Sequence, residues 1–369
     1  MKKYRIFVIN PGSTSTKLSL HENEKCLFST DVFHDSSVLK TFPTINDQLD
    51  YRMKVVSEFL RENAIDLKGI DAIVGRGGGC YSIVSGIYEV NEKLLEDTRN
   101  CAGGLYHSSN LGVQMAERLH REYGGICLMM DPPVVDELQD LARITGVKGI
   151  YRRAICHALN LKAAARKHAQ RIGRRYEDLN LIVCHIDGGI SITAHEKGRM
   201  IDGNDAGGGE GPFTPTRMGT MAVTDINRYL WNKSSEEIRS MCSQTGGLSS
   251  HFGTSNSDTI HRMMEEGNRE AERVWKAMIY QTARYIGAMA AVLKGKVDGI
   301  VLTGGLCRFD DVIDMIREHC EWIAPVSVYP GEFEHETMAM GALRVLRGEE
   351  EMKQYPGKPV WEGFDGRSE

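Results

Sequence analysis

The sequence predicts an α/β fold made of two duplicated halves, and three observations carry that expectation. Apolar, strand-like runs alternate with helical periodicities along the whole chain. Each half opens on the same pattern of strand, tight polar turn and strand: "FVINPGSTSTKLSL" near the start and "IVCHIDGGISITAH" in the middle. No low-complexity linker separates the halves.

Arg5 to Ile9 and Lys17 to Leu20 read as a hairpin, Met53 to Asn63 as a helix, and "IDAIVGRGGG" as a buried strand running into a glycine loop. "SNLGVQMAERLHREYG" is amphipathic, with Leu111, Met115 and Leu119 on one face and Gly124 as its stop. "GICLMMD" is a second buried strand and "HALNLKAAARKHAQRIG" a further helix. In the second half, "LNLIVCHIDGGISITAHEKGRMID" alternates strands and turns. The longest helix runs from about Arg269 to Leu293, with Trp275, Met278, Ile279, Thr282, Ile286, Met289, Ala290 and Leu293 at helical spacing. "VDGIVLTGGL" is a buried strand ending in a glycine turn. "ETMAMGALRVLRG" is a helix expected to return to the first half, and the tail after Gly348 is expected on the surface. The expected lobes are residues 1–150 with about 335–369, and 151–334.

The chain has 369 residues, 41% hydrophobic and 26% charged, with a net charge of −5; this is enzyme-like and offers no basic face for nucleic acid or an anionic membrane. Nine scattered cysteines without C-x-x-C spacing point to reduced thiols in the cytoplasm. No targeting segment is expected, and no run approaches the roughly 18 apolar residues of a membrane span.

The first turn offers Gly12 for close approach, hydroxyls and amides from Ser13 to Thr16, and Lys17. It reads either as a polar hairpin loop or as a phosphate cradle, because phosphate needs several converging donors. Asn10 at the strand end suits metal-bound water. The second turn supplies Gly188, Gly189 and Ser191, with His185 at the end of its strand. A core histidine is the plainer reading of His185. The third turn puts Gly304, Gly305 and Leu306 where a flat ring or sugar could lie; a bare strand-to-helix turn is the alternative. "VGRGGG" presents Arg76 and "GPFTPTRMG" presents Arg217, each a surface residue or an anion fork. Asp131 ends a buried strand, where a carboxylate suits Mg²⁺. The turns follow one another at about 175 and then about 115 residues, the phosphate-1, phosphate-2, adenosine order of the actin-like ATPase and sugar kinase superfamily. No G-x-x-x-x-G-K-[ST], H-E-x-x-H or G-x-S-x-G occurs, against P-loop enzymes, zinc proteases and α/β-hydrolases.

Together, "INPGSTSTKLS", "RGGG", "YHSSNLG", "HIDGGISI", "GEGPFTPTRMG", "VLTGGL" and "ALRVLRGEE" resemble the butyrate kinase group of the acetate kinase family, over roughly Tyr4 to Glu350. The resemblance implies two duplicated actin-like ATPase (ribonuclease H-like) domains with a central cleft. It implies ATP-dependent, reversible phosphorylation of butyrate or a branched relative to the acyl phosphate. Acetate or propionate kinase is the nearest alternative, and a sugar kinase or a nucleotide-gated interaction ATPase the more distant ones. Residue by residue, it implies Arg76, Arg217, His185 and Asp131 in catalysis, and Arg76, His107 and Asn110 at the carboxylate. Ser13, Ser15, Lys17, Gly188 and Gly189 fall at the ATP phosphates, and Gly304, Gly305 and Leu306 at adenosine. Asn10, Asp131 and Glu334 fall at Mg²⁺, with Glu336 the competing register for Glu334. Relatives carry Asp then Arg after "GT"; here "GTSNSDTIHR" sets Asp258 and Arg262 out of register. The implied partners are ATP/ADP, Mg²⁺ and a small-molecule carboxylate, with no nucleic acid and no membrane, in a homo-oligomer.

Overall fold

The computed structural model describes residues 2–364. The chain forms two units, Met1–Asp136 with Phe333–Glu369, and Glu137–Glu332.

The sheet of the first unit holds β1 (Arg5–Pro11), β2 (Ser15–Glu22), β3 (Lys25–Phe33), β4 (Ala72–Arg76), β5 (Ile87–Glu89) and β6 (Ile126–Met130) in the order β3-β2-β1-β4-β6-β5. β1, β2 and β3 form an antiparallel meander, while β1, β4 and β6 run parallel. Ile6, Phe7, Val8 and Ile9 are all fully buried, because a central strand with helices on both faces has no solvated side. The parallel register aligns Ile9 with Gly75 and Arg76 with Met130. Asn10, Arg76 and Asp131 therefore emerge at the carboxyl ends of three neighbouring strands, where open α/β sheets bind ligands. The helix Glu334–Leu346 packs on β1, as expected.

The second unit repeats the plan. β7 (Asn180–Ile186), β8 (Ile190–Glu196), β9 (Arg199–Gly203), β10 (Gly299–Gly304) and β11 (Val326–Pro330) take the order β11-β10-β7-β8-β9. β7, β8 and β9 are again an antiparallel meander, and β7, β10 and β11 are parallel. The helix Arg269–Val292 buries its apolar face against this sheet; Trp275 is fully buried there and donates its indole N–H to Asp311 at 2.8 Å. Among the described residues no helix is long and apolar enough to cross a membrane.

Two expectations are corrected, and β3 is an addition. β3 was not foreseen: it is a largely exposed edge strand whose apolar and polar residues do not alternate cleanly. Residues 137–150, expected in the first lobe, cluster with the second unit. The reason is local: Glu137 is ion-paired with buried Lys162 at 2.7 Å and accepts from Met200 N–H, and Gln139 N–H donates to Ile201. The tail is not merely superficial. Tyr355 is buried, accepting from Tyr81 N–H and donating to Asp97 at 3.0 Å.

Candidate active site

In the first unit the β1–β2 turn is fastened from within by Arg52, on the helix Leu49–Glu62. Its fully buried guanidinium donates to the carbonyls of Gly12 (2.9 Å), Ser13 (2.9 Å) and Ser15 (3.3 Å). His34 N–H takes the Thr14 carbonyl. The carbonyls of the turn are thus committed inward, while Ser13 and Thr14 are exposed. A turn with its carbonyls satisfied elsewhere presents amides and hydroxyls to an anion. Burial, and then the charge of Arg52, hold the His34 imidazole down at about 4. Ser15 Oγ lies 3.5 Å from Asp31, and exposed Lys17 stands across the strand from the same residue.

At the strand ends, four expected residues meet. Asn10 Nδ2 donates to Glu334 at 2.7 Å; Arg76 pairs with Glu334 at 3.0 Å and reaches the Asp131 carbonyl at 3.4 Å. Asp131 is fully buried, and its carboxylate accepts from Ser85 Oγ at 2.7 Å and Gly86 N–H at 2.8 Å. Glu334, at the start of its helix, is the acid that meets Asn10 and Arg76; Glu336 instead acts electrostatically on His21 and Cys26. His107 lies on the exposed loop before the helix Asn110–Tyr123, and its Nδ1 accepts from Ser109 N–H at 3.1 Å. Accepting at Nδ1 leaves the proton of the neutral ring on Nε2.

Asn110 behaves differently from expectation. It is buried, its amide oxygen accepts from Gly79 N–H at 2.7 Å, and its nitrogen donates to the Leu105 carbonyl at 2.8 Å. A side chain so engaged holds the glycine loop after Arg76 and has little left for substrate.

In the second unit, the β7–β8 turn, the third glycine turn and the Thr214–Arg217 loop interlock through residues that sequence reasoning did not single out. The Asp187 carboxylate accepts from Gly188 N–H at 2.7 Å and Gly305 N–H at 2.6 Å. Thr214 and Thr216 both donate to the Gly188 carbonyl, at 2.6 and 2.8 Å. Gly304 has φ +101°, a backbone open to glycine, and a Cβ there would lie 2.4 Å from the Ile186 carbonyl oxygen. Arg217 lies flat on Gly189: a Cβ at Gly189 would sit 2.4 Å from the guanidinium carbon. Its Nη1 donates to the Ala206 carbonyl, and its Nε has no hydrogen-bond partner among the described residues. Burial lowers its pKa, partly offset by Asp205. An enclosed arginine with an unmatched donor has the chemistry to receive an anion.

His185 is buried at the end of β7, where its Nδ1 meets the Asn160 amide at 2.7 Å and its ring stacks on His157 at 4.1 Å. His185, Asp187 and Glu332 place one ligating atom each within 4.8 Å of one another. Leu306, expected at adenosine, has its side chain in the apolar core, so only its backbone remains for a nucleoside. Asp258, out of register in the sequence, reaches Arg308 at 2.8 Å, and Arg308 also donates to Gly305, beside the third turn. Asn256 caps its helix by accepting from Thr259 N–H at 2.9 Å.

The misses share a cause. Arg52, Asp187, Asn160 and Thr214 act through partners distant in sequence, and only the acid inside "HIDGGIS" was open to notice.

Residues 143–324 match the model described as "Acetokinase family". Among solved structures, acetate kinase from Porphyromonas gingivalis is similar at 18% identity over 93% of this chain and 100% of that one, with a TM-score of 0.74. Acetate kinase from Entamoeba histolytica is similar at 15% identity over 91% and 98%, TM-score 0.74. A propionate kinase from Francisella tularensis is similar at 18% identity over 92% and 98%, TM-score 0.70. The match to that family model is thus confined to residues 143–324, and the chain as a whole has the actin-like ATPase fold of these solved kinases.

Proposed function

We propose that this protein transfers the γ-phosphoryl group of ATP to the carboxylate of a short-chain fatty acid, butyrate or a branched relative, reversibly giving the acyl phosphate and ADP. The observation that carries this reading is the cluster in which half-buried Glu334 meets Asn10, Arg76 and the neighbouring Asp131 at the carboxyl ends of β1, β4 and β6, with Arg76 and Asp131 buried. The family match over residues 143–324 supports a carboxylate kinase.

An ionised carboxylate needs no general base, so the chemistry is positioning and charge stabilisation. A carboxylate oxygen forms the new bond to phosphorus while the bond from phosphorus to the ADP oxygen breaks. Arg76 and the Nε2–H of His107 bind the acid. Ser13 and Ser15 with Lys17, and the amides of Gly188 and Gly189, take the ATP phosphates. Arg217 and His185 stabilise the equatorial oxygens of the transferring group, and the turn at Gly304 and Gly305 takes adenosine. Asp131, Glu334 and the amide oxygen of Asn10 are hard oxygen donors, which fit Mg²⁺. Bound there with the nucleotide, Mg²⁺ supplies charge neutralisation at the phosphates. None of the nine cysteines is in a disulfide, which suits the cytoplasm as the proposed compartment. A homo-oligomer is proposed by analogy.

The solved relatives are named for acetate and propionate, so acid length is the property to measure. Butyrate has two more methylenes than acetate. At about 0.8 kcal/mol each, their burial is worth about 1.6 kcal/mol, or roughly fifteen-fold in kcat/KM. The test is kcat/KM across straight and branched acids from C2 to C5. A maximum at C4 is expected; a maximum at acetate or propionate transfers the assignment to those acids.

A further inference from the structure

The C-terminal tail straps the segment that holds Asp131. Lys353 N–H donates to the Ile87 carbonyl at 2.8 Å, and Glu89 N–H donates back to the Lys353 carbonyl at 3.0 Å, extending the sheet beside β5. Farther along, Val360 N–H donates to Ser82 at 2.9 Å. Between these anchors lies the Ser85–Gly86 turn. The Lys353 side chain crosses it so closely that a Cβ on Gly86, where φ is +152°, would lie 2.8 Å from both Cε and Nζ. Nζ donates to the Ser85 carbonyl at 2.6 Å.

That turn is what holds Asp131. Ser85 Oγ and Gly86 N–H both donate to its carboxylate, and Asp131 N–H donates to the Gly86 carbonyl at 3.2 Å. Asp131 itself has φ +37°, a left-handed backbone that a non-glycine residue keeps only when its surroundings impose it. The chain of contact is short: tail lysine, turn carbonyl, turn donors, buried carboxylate.

We propose that Lys353 is a positioning residue for the metal-side carboxylate. By clamping Ser85–Gly86 it fixes the orientation of Asp131, so that metal affinity depends on the C-terminal tail. This rests on the proposed role of Asp131 at Mg²⁺. Lys353 is exposed and touches the site only through the turn, so its loss leaves the core intact.

The test uses the full chain with Lys353→Met, Lys353→Arg and Asp131→Asn. Hydrogen exchange on the metal-free protein reads the clamp directly: the Gly86 and Asp131 amides should exchange about tenfold faster in K353M and regain protection in K353R. Mn²⁺ binding in the presence of ADP, followed by the electron paramagnetic resonance of free Mn²⁺, reads its consequence. Loss of an outer partner of a metal ligand typically costs 10–100-fold in affinity. K353M should weaken Mn²⁺ about tenfold, K353R should restore most of it, and D131N should weaken it more than either. Unchanged exchange in K353M overturns the clamp. Faster exchange with unchanged Mn²⁺ affinity in K353M, while D131N loses affinity, overturns the link to the metal. D131N binding Mn²⁺ like the parent overturns the metal role of Asp131 and this inference with it. If exchange and Mn²⁺ binding behave as expected but no carboxylate is phosphorylated, the reaction assignment falls and the positioning role stands.

Discussion

Replacing Arg52 with methionine tests whether the first turn is a phosphate cradle or only a hairpin. The guanidinium makes two bonds of 2.9 Å and a weaker one of 3.3 Å to carbonyls of the turn. A hydrogen bond from a charged group contributes about 1.5–3 kcal/mol net, so the two good bonds carry about 3–6 kcal/mol. Ser13 is exposed, and water can reach the released carbonyls, which favours the lower end, about 3 kcal/mol. Methionine keeps most of the volume and adds little cavity cost. Urea unfolding should show that loss. The His34 pKa, followed by NMR, should rise from about 4 because the charge of Arg52 is removed, and stay below its ordinary value because burial is the larger cause. If the turn binds phosphate, its loosened amides should raise KM for ATP by about tenfold while kcat changes less. Arg52→Lys keeps the charge but not the fork and should fall between. An ATP KM within twofold of the parent, in a variant whose His34 titration has moved, would refute the cradle.

Arg217→Ala should lower kcat by about 10³ or more with the fold intact by circular dichroism, since charge-clamping arginines are worth that much in phosphoryl transfer; activity within a few-fold of the parent contradicts the role. Gly189→Ala places a methyl against the guanidinium of Arg217 and should reproduce much of that loss, with crystallography showing the side chain displaced. His34 makes folding sensitive to acid. Its pKa lies below the unfolded value of 6.5, so its contribution is complete above pH 6.5 and is lost as pH falls toward 4. At 1.36 kcal/mol per unit this is at most about 3 kcal/mol, and His34→Gln should flatten the urea midpoint between pH 6.5 and 4. An equally steep profile in the variant assigns the acid sensitivity elsewhere.

The two sheets were legible because their central strands are short, apolar and bounded by glycine turns, a signal that depends only on neighbours in sequence. Asn10, Arg76 and Asp131 were legible for the same reason: each stands at the end of such a strand, and parallel pairing brings strand ends together. What was hidden acts across the fold. Arg52 is one arginine on an amphipathic helix, and nothing in its spacing announces that it closes a turn 40 residues earlier. Asp187 joins two glycine turns 118 residues apart. Asn110 shows the converse: its motif suggested a ligand contact, yet the backbone of a neighbouring loop takes its amide. Tyr355 and Lys353 lie in a polar, proline-bearing tail whose composition resembles surface chain, though their side chains bond Asp97 and the Ser85 carbonyl of the first unit.

The most direct test of the account is trapping of the product. The protein is incubated with ATP, Mg²⁺ and butyrate in neutral hydroxylamine, and hydroxamate is measured against ADP released. The account expects one butyryl hydroxamate for each ADP, with no hydroxamate when the acid is omitted. ADP released at the same rate with and without any carboxylate, and no hydroxamate from acids of two to five carbons, would contradict it.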